Sequence, residues 1–297
     1  MKQVKRVFAL GFFDGVHLGH QALLDECVSL AKKLGAQTAA ITFDRHPRSL
    51  FTHTPPPLIS TAASRDLLLR RYGIDFVRVF PVTAEVMGMP WRKFLAEMMA
   101  CGAVGFVCGD DFHFGRSNEG SVQALKEFCG QRGMPCVIVP EQTVGGKRIS
   151  STYIRRQIES GDMETAVRFL GHPHIISGVV VPGKQLGRTL GIPTANILLE
   201  PGLVVPKFGV YACKCLVDGQ EYAAVTNVGT RPTVEGSRIT VEPWILDYAG
   251  NLYDREITLE FHYFIRPERK FPNLDALKEE IHKNAEQTRQ YLKTLQS

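Results

Sequence analysis

Val7-Phe8-Ala9-Leu10-Gly11-Phe12-Phe13-Asp14-Gly15-Val16-His17-Leu18-Gly19-His20 is the stretch that decides the fold of this chain. Four apolar residues form a run short enough to be a strand buried on both faces. A glycine-bearing turn follows, then a helical stripe of Leu24, Cys27, Val28, Ala31 and Leu34 within Gln21–Leu34, stopped by Gly35. Brief apolar runs recur at Ala39–Phe43, Phe76–Phe80, Gly105–Cys108 and Cys136–Val139, and helical patterns fit Ser64–Tyr72, Trp91–Ala100, Val122–Cys129 and Thr152–Ser160. Strand–helix–strand alternation predicts right-handed crossovers, a parallel sheet, and ligands held outside the carboxyl ends of its strands.

The periodicity changes after about residue 170. Ile175–Val181, Gly209–Val217, Tyr222–Val228, Arg238–Asp247 and Ile257–Ile265 are longer and alternating, separated by turn residues such as Asp218-Gly219 and Ala249-Gly250-Asn251. This predicts an antiparallel barrel or sandwich. Asn273 then caps a closing helix with the stripe Leu274, Leu277, Ile281, Thr288 and Leu292. With Gly171-His172-Pro173 as the boundary, the domains are 1–171 and 172–297. The fold class is α/β plus β.

The chain has 297 residues, 44% hydrophobic and 22% charged, as ordinary globular protein does. No window approaches a membrane span, and the apolar stretch behind Lys2, Lys5 and Arg6 ends too soon for a secretion signal. The seven cysteines are odd in number and lack C-x-x-C spacing, so reduced thiols in a cytoplasmic protein are expected. Of the net charge of +5, all sits in residues 1–170, with 21 Lys and Arg against 16 Asp and Glu. Residues 171–297 are balanced at 14 each. That placement suits phosphorylated small molecules, and no basic run is long enough to read as a nucleic-acid tail.

The turn Gly11–His20 leaves a strand and opens a helix, where free N–H groups and the helix dipole favour phosphate. Gly11, Phe12, Asp14, Gly15 and Gly19 are candidates to surround it, with His17 and His20 donating to phosphoryl oxygens. The H-x-G-H arrangement resembles the nucleotidylyltransferase superfamily, which attaches a nucleoside monophosphate and releases pyrophosphate. Thr42-Phe43-Asp44-Arg45-His46-Pro47, Gly109-Asp110-Asp111-Phe112-His113-Phe114-Gly115 and Ile149-Ser150-Ser151-Thr152-Tyr153-Ile154-Arg155 accompany it in order. The resemblance implies that Asp111, Ser150, Ser151 and Thr152 bind ATP and that Arg155 supplies a cation to the leaving pyrophosphate.

Gly187-Arg188-Thr189-Leu190-Gly191-Ile192-Pro193-Thr194-Ala195-Asn196 closely resembles the riboflavin kinase signature. Pro206–Ala212, Asn227–Thr233, Glu242 and Ile265–Phe271 agree with it. The whole chain is therefore similar to the prokaryotic bifunctional riboflavin kinase/FMN adenylyltransferase family. That implies a Rossmann-like nucleotidylyltransferase domain followed by a riboflavin kinase β-barrel, ATP and Mg²⁺ dependence, and riboflavin, FMN and FAD as substrates and products. The resemblance gives Gly183, Gly187, Arg188, Thr189, Gly191, Pro193, Asn227 and Arg231 to ATP and flavin. Thr194 and Asn196, two apart on an extended segment, go to Mg²⁺, and Glu242 is the base. Small-molecule partners alone, no nucleic acid or membrane, and a monomer or weak homo-oligomer are expected.

The pattern departs from the family at Arg45 (proline is common), His113 (arginine), Pro243-Trp244 (an aliphatic residue and histidine) and Asn284 (an acid). Proline lacks an N–H, so its strand should lie at an edge or bulge there. Gly178–Lys184 nearly satisfies a P-loop, but Gln185 occupies the Ser/Thr position and the loop is a valine strand. Two other readings are a nucleotidylyltransferase of another acceptor with a non-catalytic flavin-binding barrel, and a flavin-sensing or nucleic-acid-binding protein.

Overall fold

The computed structural model describes residues 4–183, 191–233 and 236–295. Contacts divide the chain into two units, residues 1–151 and 152–297.

The first unit runs β1 (Arg6–Leu10), α1 (Leu18–Leu34), β2 (Gln37–Phe43), α2 (Ala62–Arg71), β3 (Phe76–Phe80), α3 (Ala84–Met87), α4 (Trp91–Ala100) and β4 (Ala103–Gly109). It continues with β5 (His113–Phe114), β6 (Gly120–Ser121), α5 (Val122–Gly130), β7 (Cys136–Val139), β8 (Thr143–Val144) and β9 (Lys147–Arg148). Its parallel sheet has the order β3-β2-β1-β4-β7. The chain winds outward from β1 to β3, then crosses to β4 on the other side. The switch point therefore lies between β1 and β4, where the loops after these strands part and leave a crevice.

The central strands β1, β2 and β4 are buried on both faces as their apolar runs predict, whereas the edge strands β3 and β7 are half-buried and Val79 of β3 is exposed. Val7, Phe8 and Ala9 are wholly buried, and Phe8, Leu10, Ile41, Phe106 and Cys108 share one core cluster with Leu95 and Met98 of α4. Each such large side chain contributes about 1.5–3 kcal/mol through burial. Helix α1 packs on β1, β2 and β4 through Leu23, Leu24, Cys27 and Ala31. Val28 and Leu34 of the expected stripe fall on its margin and are exposed. Gly35 ends the helix at φ 58°, as read from the sequence.

The second unit holds α6 (Ser151–Ser160, entered from the first unit), α7 (Met163–Leu170), β10 (His174–Val179), β11 (Ile197–Leu198), β12 (Gly209–Val217), β13 (Gln220–Thr233), β14 (Gly236–Ile245) and β15 (Glu256–Pro267). The sheet order is β10-β15-β12-β13-β14-β11, every pairing antiparallel. A bridge between Val180 and Ile197 joins the two edges and closes the barrel. The division at residue 151 falls before Gly171-His172-Pro173 because two helices belong with the barrel. The N–H of Lys207 donates to Ile158 O at 3.2 Å, and α7 packs on β10 and β15.

The closing helix spans Leu274–Thr294, and Asn273 Oδ1 accepts the N–H of Ala276 at 2.8 Å. Its buried face is Asn284, Ala285, Thr288 and Leu292, while Leu274 is exposed. Pro243 lies in β14 opposite Thr226 of β13, at a point beyond the short ladder with β11. Its carbonyl accepts from Ala195 N at 2.9 Å on that outer side. Within a strand a residue's N and C=O point the same way, so the missing N–H removes no bond to β13.

Candidate functional site

In the first unit the loop after β1 folds into the switch-point crevice. Phe13 (φ 58°), Gly15 (φ 78°) and Val16 (φ 40°) all take left-handed backbone. A buried β-branched residue there is strained, and such strain persists only where the surroundings fix it. Asp14 does the fixing. Its Oδ1 accepts from Ile59 N (2.9 Å), Ser60 N (3.2 Å) and Ser60 Oγ (3.4 Å), and Gly15 N donates to Ser60 Oγ. The structure thus places Asp14 and Gly15 behind the crevice wall. The Asp14 carboxylate holds the bend of the loop.

Helix α1 begins at Leu18, three residues before the expected Gln21. His17 provides the reason, since as N-cap its Nδ1 accepts the N–H of His20 at 3.3 Å. That bond leaves the His17 proton on Nε2. The His17 and His20 rings stack 3.6 Å apart at 10°, with Phe13 edge-on to His20. Burial first, then His17 and the Arg65 guanidinium, hold the His20 pKa well below its usual value, so this imidazole is neutral at pH 7.

A cavity of about 310 Å³ brings together Gly11, Phe12, His17, Gly19, His20, Asp111, Ser150 and Ser151. Ser151 Oγ donates to Asp14 O at 3.1 Å, tying the I-S-S-T segment to the H-x-G-H loop. Arg148, which carried no assignment, lines the same cavity and pairs with Asp111 and Glu141, both at 2.8 Å. Its place two residues before Ser150 was the available signal. Thr152 and Arg155 lie in the second unit, where Arg155 Nη1 donates to Thr152 Oγ1 at 3.4 Å. A second cavity of about 310 Å³ shares Leu10, Gly11, Phe12, Phe112 and His113 with the first and is otherwise walled by Ile41, Phe43, Phe94 and other apolar groups. His113, a departure from the family pattern, is fixed by a 2.8 Å bond from Nδ1 to Asp111 O. Arg45 points outward beside Asp44 at 3.7 Å.

The second unit also has paired cavities. One, of about 400 Å³, is lined by Glu242, Asn227, Thr194, Trp244, Arg266 and Asn284, among others. Glu242 of β14 faces Asn227 of β13, and its Oε1 accepts from Thr240 Oγ1 at 3.1 Å. The other, also about 400 Å³, is walled by Pro193, Thr194, Pro243, Tyr248 and Tyr253 with neighbouring residues. Thr194 belongs to both. Residues 192–196 are irregular chain and join β11 only at Ile197, so alternation does not govern them. Accordingly Thr194 is exposed to the cavities, whereas Asn196 is buried with its amide against Gly183, where a Cβ would overlap it. Gly187, Arg188 and Thr189 lie outside the described residues, as does the side chain of Arg231. Gly191 is described, at φ 74°.

Asn284 is compensated locally. Its Oδ1 accepts from Arg266 Nε at 3.0 Å and its Nδ2 donates to Glu280 Oε1 at 3.3 Å. Glu280, one turn earlier, pairs with Arg266 (3.2 Å) and Arg269 (2.7 Å). The acid missing at 284 is thus supplied from the preceding turn. Among the described residues, no group of three or more His, Cys, Asp or Glu side chains could hold a metal ion. The oxygens of Thr194 and Asn196 suit Mg²⁺ completed by phosphate and water, which needs few protein ligands.

A family model for riboflavin kinase matches residues 170–292, and one for FAD synthetase matches 1–153. A bifunctional riboflavin kinase/FMN adenylyltransferase of Listeria monocytogenes is 33% identical over 99% of this chain and 94% of its own. Its namesake in Escherichia coli K12 is 36% identical over 93% and 89%. A solved structure named as a macrolide-efflux protein of Streptococcus pneumoniae superposes with a TM-score of 0.87 and 30% identity, covering 97% of this chain and 95% of that one. That name denotes export, yet among the described residues no helix is long and apolar enough to cross a membrane. The likeness shows a shared two-part fold.

Proposed function

The chain belongs to the bifunctional riboflavin kinase/FMN adenylyltransferase family, and we propose from that premise how its own residues divide the work. It phosphorylates riboflavin to FMN and adenylylates FMN to FAD, each with ATP. We assign the kinase step to residues 172–297 and the adenylyl step to residues 1–171, in a cytoplasmic protein that is a monomer or weak homo-oligomer and uses no nucleic acid.

In the barrel, Glu242 accepts the proton of the riboflavin 5′-hydroxyl as its oxygen attacks the γ-phosphorus of ATP, and ADP leaves. Thr240 orients the carboxylate, and Asn227, whose Nδ2 donates to Glu268 Oε1 at 3.4 Å, lines the same cavity. Thr194 stands where the flavin and ATP cavities meet, so it and Asn196 are the residues to hold Mg²⁺ with the phosphates. The ion, when bound, offsets phosphate charge. Gly183 lets main chain pass the Asn196 amide, and Gly187, Arg188, Thr189, Gly191, Pro193 and Arg231 complete the nucleotide and flavin contacts.

In the first unit a phosphate oxygen of FMN attacks the α-phosphorus of a second ATP, and pyrophosphate leaves. The apolar cavity behind Phe12 takes the flavin ring, and the polar cavity takes the triphosphate. His17 through Nε2–H, and neutral His20, donate to the phosphoryl oxygens as charge develops, and Ser150, Ser151 and Arg148 on the same cavity receive the pyrophosphate. The observation that carries this reading is the stacked His17–His20 pair at the switch point, on the wall of a polar cavity that shares Phe12 with an apolar one. Chromatography of riboflavin incubated with the protein, ATP and magnesium should show FMN and then FAD. Persistence of riboflavin alone would refute it.

A further inference from the structure

Arg65 of α2 is a side chain that burial alone would exclude from the first unit. It is 0% exposed, and it is the largest fully buried side chain among the described residues. Its Nη1 donates to Thr42 Oγ1 (2.7 Å), Phe43 O (2.8 Å) and Phe12 O (3.5 Å), its Nη2 to Ser60 O (3.3 Å) and its Nε to Ser60 Oγ (3.5 Å). The guanidinium carbon lies 4.5 Å over the Phe12 ring. These acceptors are neutral, and a guanidinium stays charged even when desolvated. Burying such a charge is costly, and an apolar residue of similar volume is often at least as stabilising.

What Arg65 touches explains its presence. Phe12 walls both the polar and the apolar cavity. Thr42 closes a triangle by donating to Phe12 O at 2.7 Å. Ser60 holds the Asp14–Gly15 bend that sets the His17–His20 pair. We propose that Arg65 is a positioning residue for adenylyl transfer, locking Phe12 and the bend while placing a fixed positive charge behind the His17–His20 pair. This inference rests on the adenylyl-transfer reading of the first unit.

The charge has a consequence separate from the packing. Burial first, then His17, hold the His20 imidazole neutral, and the Arg65 charge adds to both. The other ionisable groups on this cavity are Asp110, Asp111, His113, Glu141 and Arg148. Arg148 pairs with Asp111 and Glu141, and the carboxylates that act on Arg65 itself are Asp14 and Asp44, which offset part of its desolvation.

The test uses Arg65→Met, which keeps volume but removes the charge, and Arg65→Lys, which keeps the charge but not the fork. Both are made in the full chain, with riboflavin phosphorylation as the internal control and Trp91 fluorescence reporting the first unit. Arg65→Met should lower kcat for FAD formation by about 10–100-fold, the scale of a displaced reacting group. It should also move the acidic limb of the pH profile upward, as removal of a nearby like charge does. Arg65→Lys should lose about tenfold in kcat with the limb unmoved. A folded Arg65→Met protein with unchanged kcat and pH limb would overturn the proposal. If Arg65→Met leaves the first unit unfolded, Arg65→Lys decides: reduced kcat with an unmoved limb supports the proposal, and unchanged kcat overturns it. His20→Ala, run alongside, separates the failures. Undiminished FAD synthesis there refutes adenylyl transfer by this site, whereas loss there with Arg65→Met intact refutes only the role of Arg65.

Discussion

Mild acid should destabilise the barrel through one residue, His174. Its side chain in β10 is 2% exposed and lies beside Phe261, and neither ring nitrogen has a hydrogen-bond partner. Burial, reinforced by His172, pushes its pKa from 6.5 down to about 3. The unfolded chain takes up a proton below pH 6.5 and the folded barrel does not. Stability is therefore full above that pH and falls with acidification by up to about 1.4 kcal/mol per unit, until the folded pKa is reached. At pH 5 the loss is about 2 kcal/mol, a large share of a typical domain's stability. Denaturant unfolding of the second unit can be followed by Trp244 in a Trp91→Phe background, since the chain has only these two tryptophans. His174→Leu should remove this part of the pH slope, so that wild type loses about 2 kcal/mol more than the variant between neutral pH and pH 5. Equal losses would mean that His174 is already protonated or hydrated in the folded barrel. The matter bears on function, because a kinase pH profile below 5 would then report unfolding of the barrel as well as the chemistry.

Asp14→Ala should cost the first unit about 2–5 kcal/mol by leaving the Ile59 and Ser60 N–H groups without their acceptor; Trp91-monitored unfolding checks it, and a cost under about 1 kcal/mol would show that the bend holds without Asp14. Gly183→Ala forces a Cβ into the Asn196 amide, and overpacking of about 1–3 kcal/mol should raise the kinase KM for ATP by about tenfold or more. FAD formation from FMN should stay unchanged, and steady-state assays of both steps make the comparison. Asn273→Ala removes the cap of the closing helix and should lower second-unit stability by about 1 kcal/mol in denaturant unfolding.

The parts legible in the sequence were those written in local chemistry. Phe76–Phe80, Trp91–Ala100, Cys136–Val139 and Gly209–Val217 have the limits their apolar periods set, and Gly35 and Asn273 end or begin helices as their types prefer. The start of α1 was hidden, because a glycine in the first turn reads as loop until His17 is seen capping it. The buried face of the closing helix was legible at Thr288 and Leu292 of the expected stripe but hidden at Asn284, which reads as polar until Arg266 and Glu280 surround it. The site was legible where motif residues converge from neighbouring loops, as His17, His20, Ser150 and Ser151 do. The turn of Asp14 toward Ser60 was not legible, because only tertiary contacts set it. Arg65 had no signal at all: an arginine early in an amphipathic helix reads as solvated, and only long-range packing places it against Phe12.

The central claim is that two separate sites act in turn on one flavin, and product analysis of two variants tests it most directly. With riboflavin, ATP and magnesium, His20→Ala should accumulate FMN while FAD falls by about 10²–10³-fold. Glu242→Gln should make FMN about 10²–10⁴-fold more slowly yet convert supplied FMN to FAD at the wild-type rate. If either substitution abolished both products while the chain stayed folded, the two steps would share a site and the account would be contradicted.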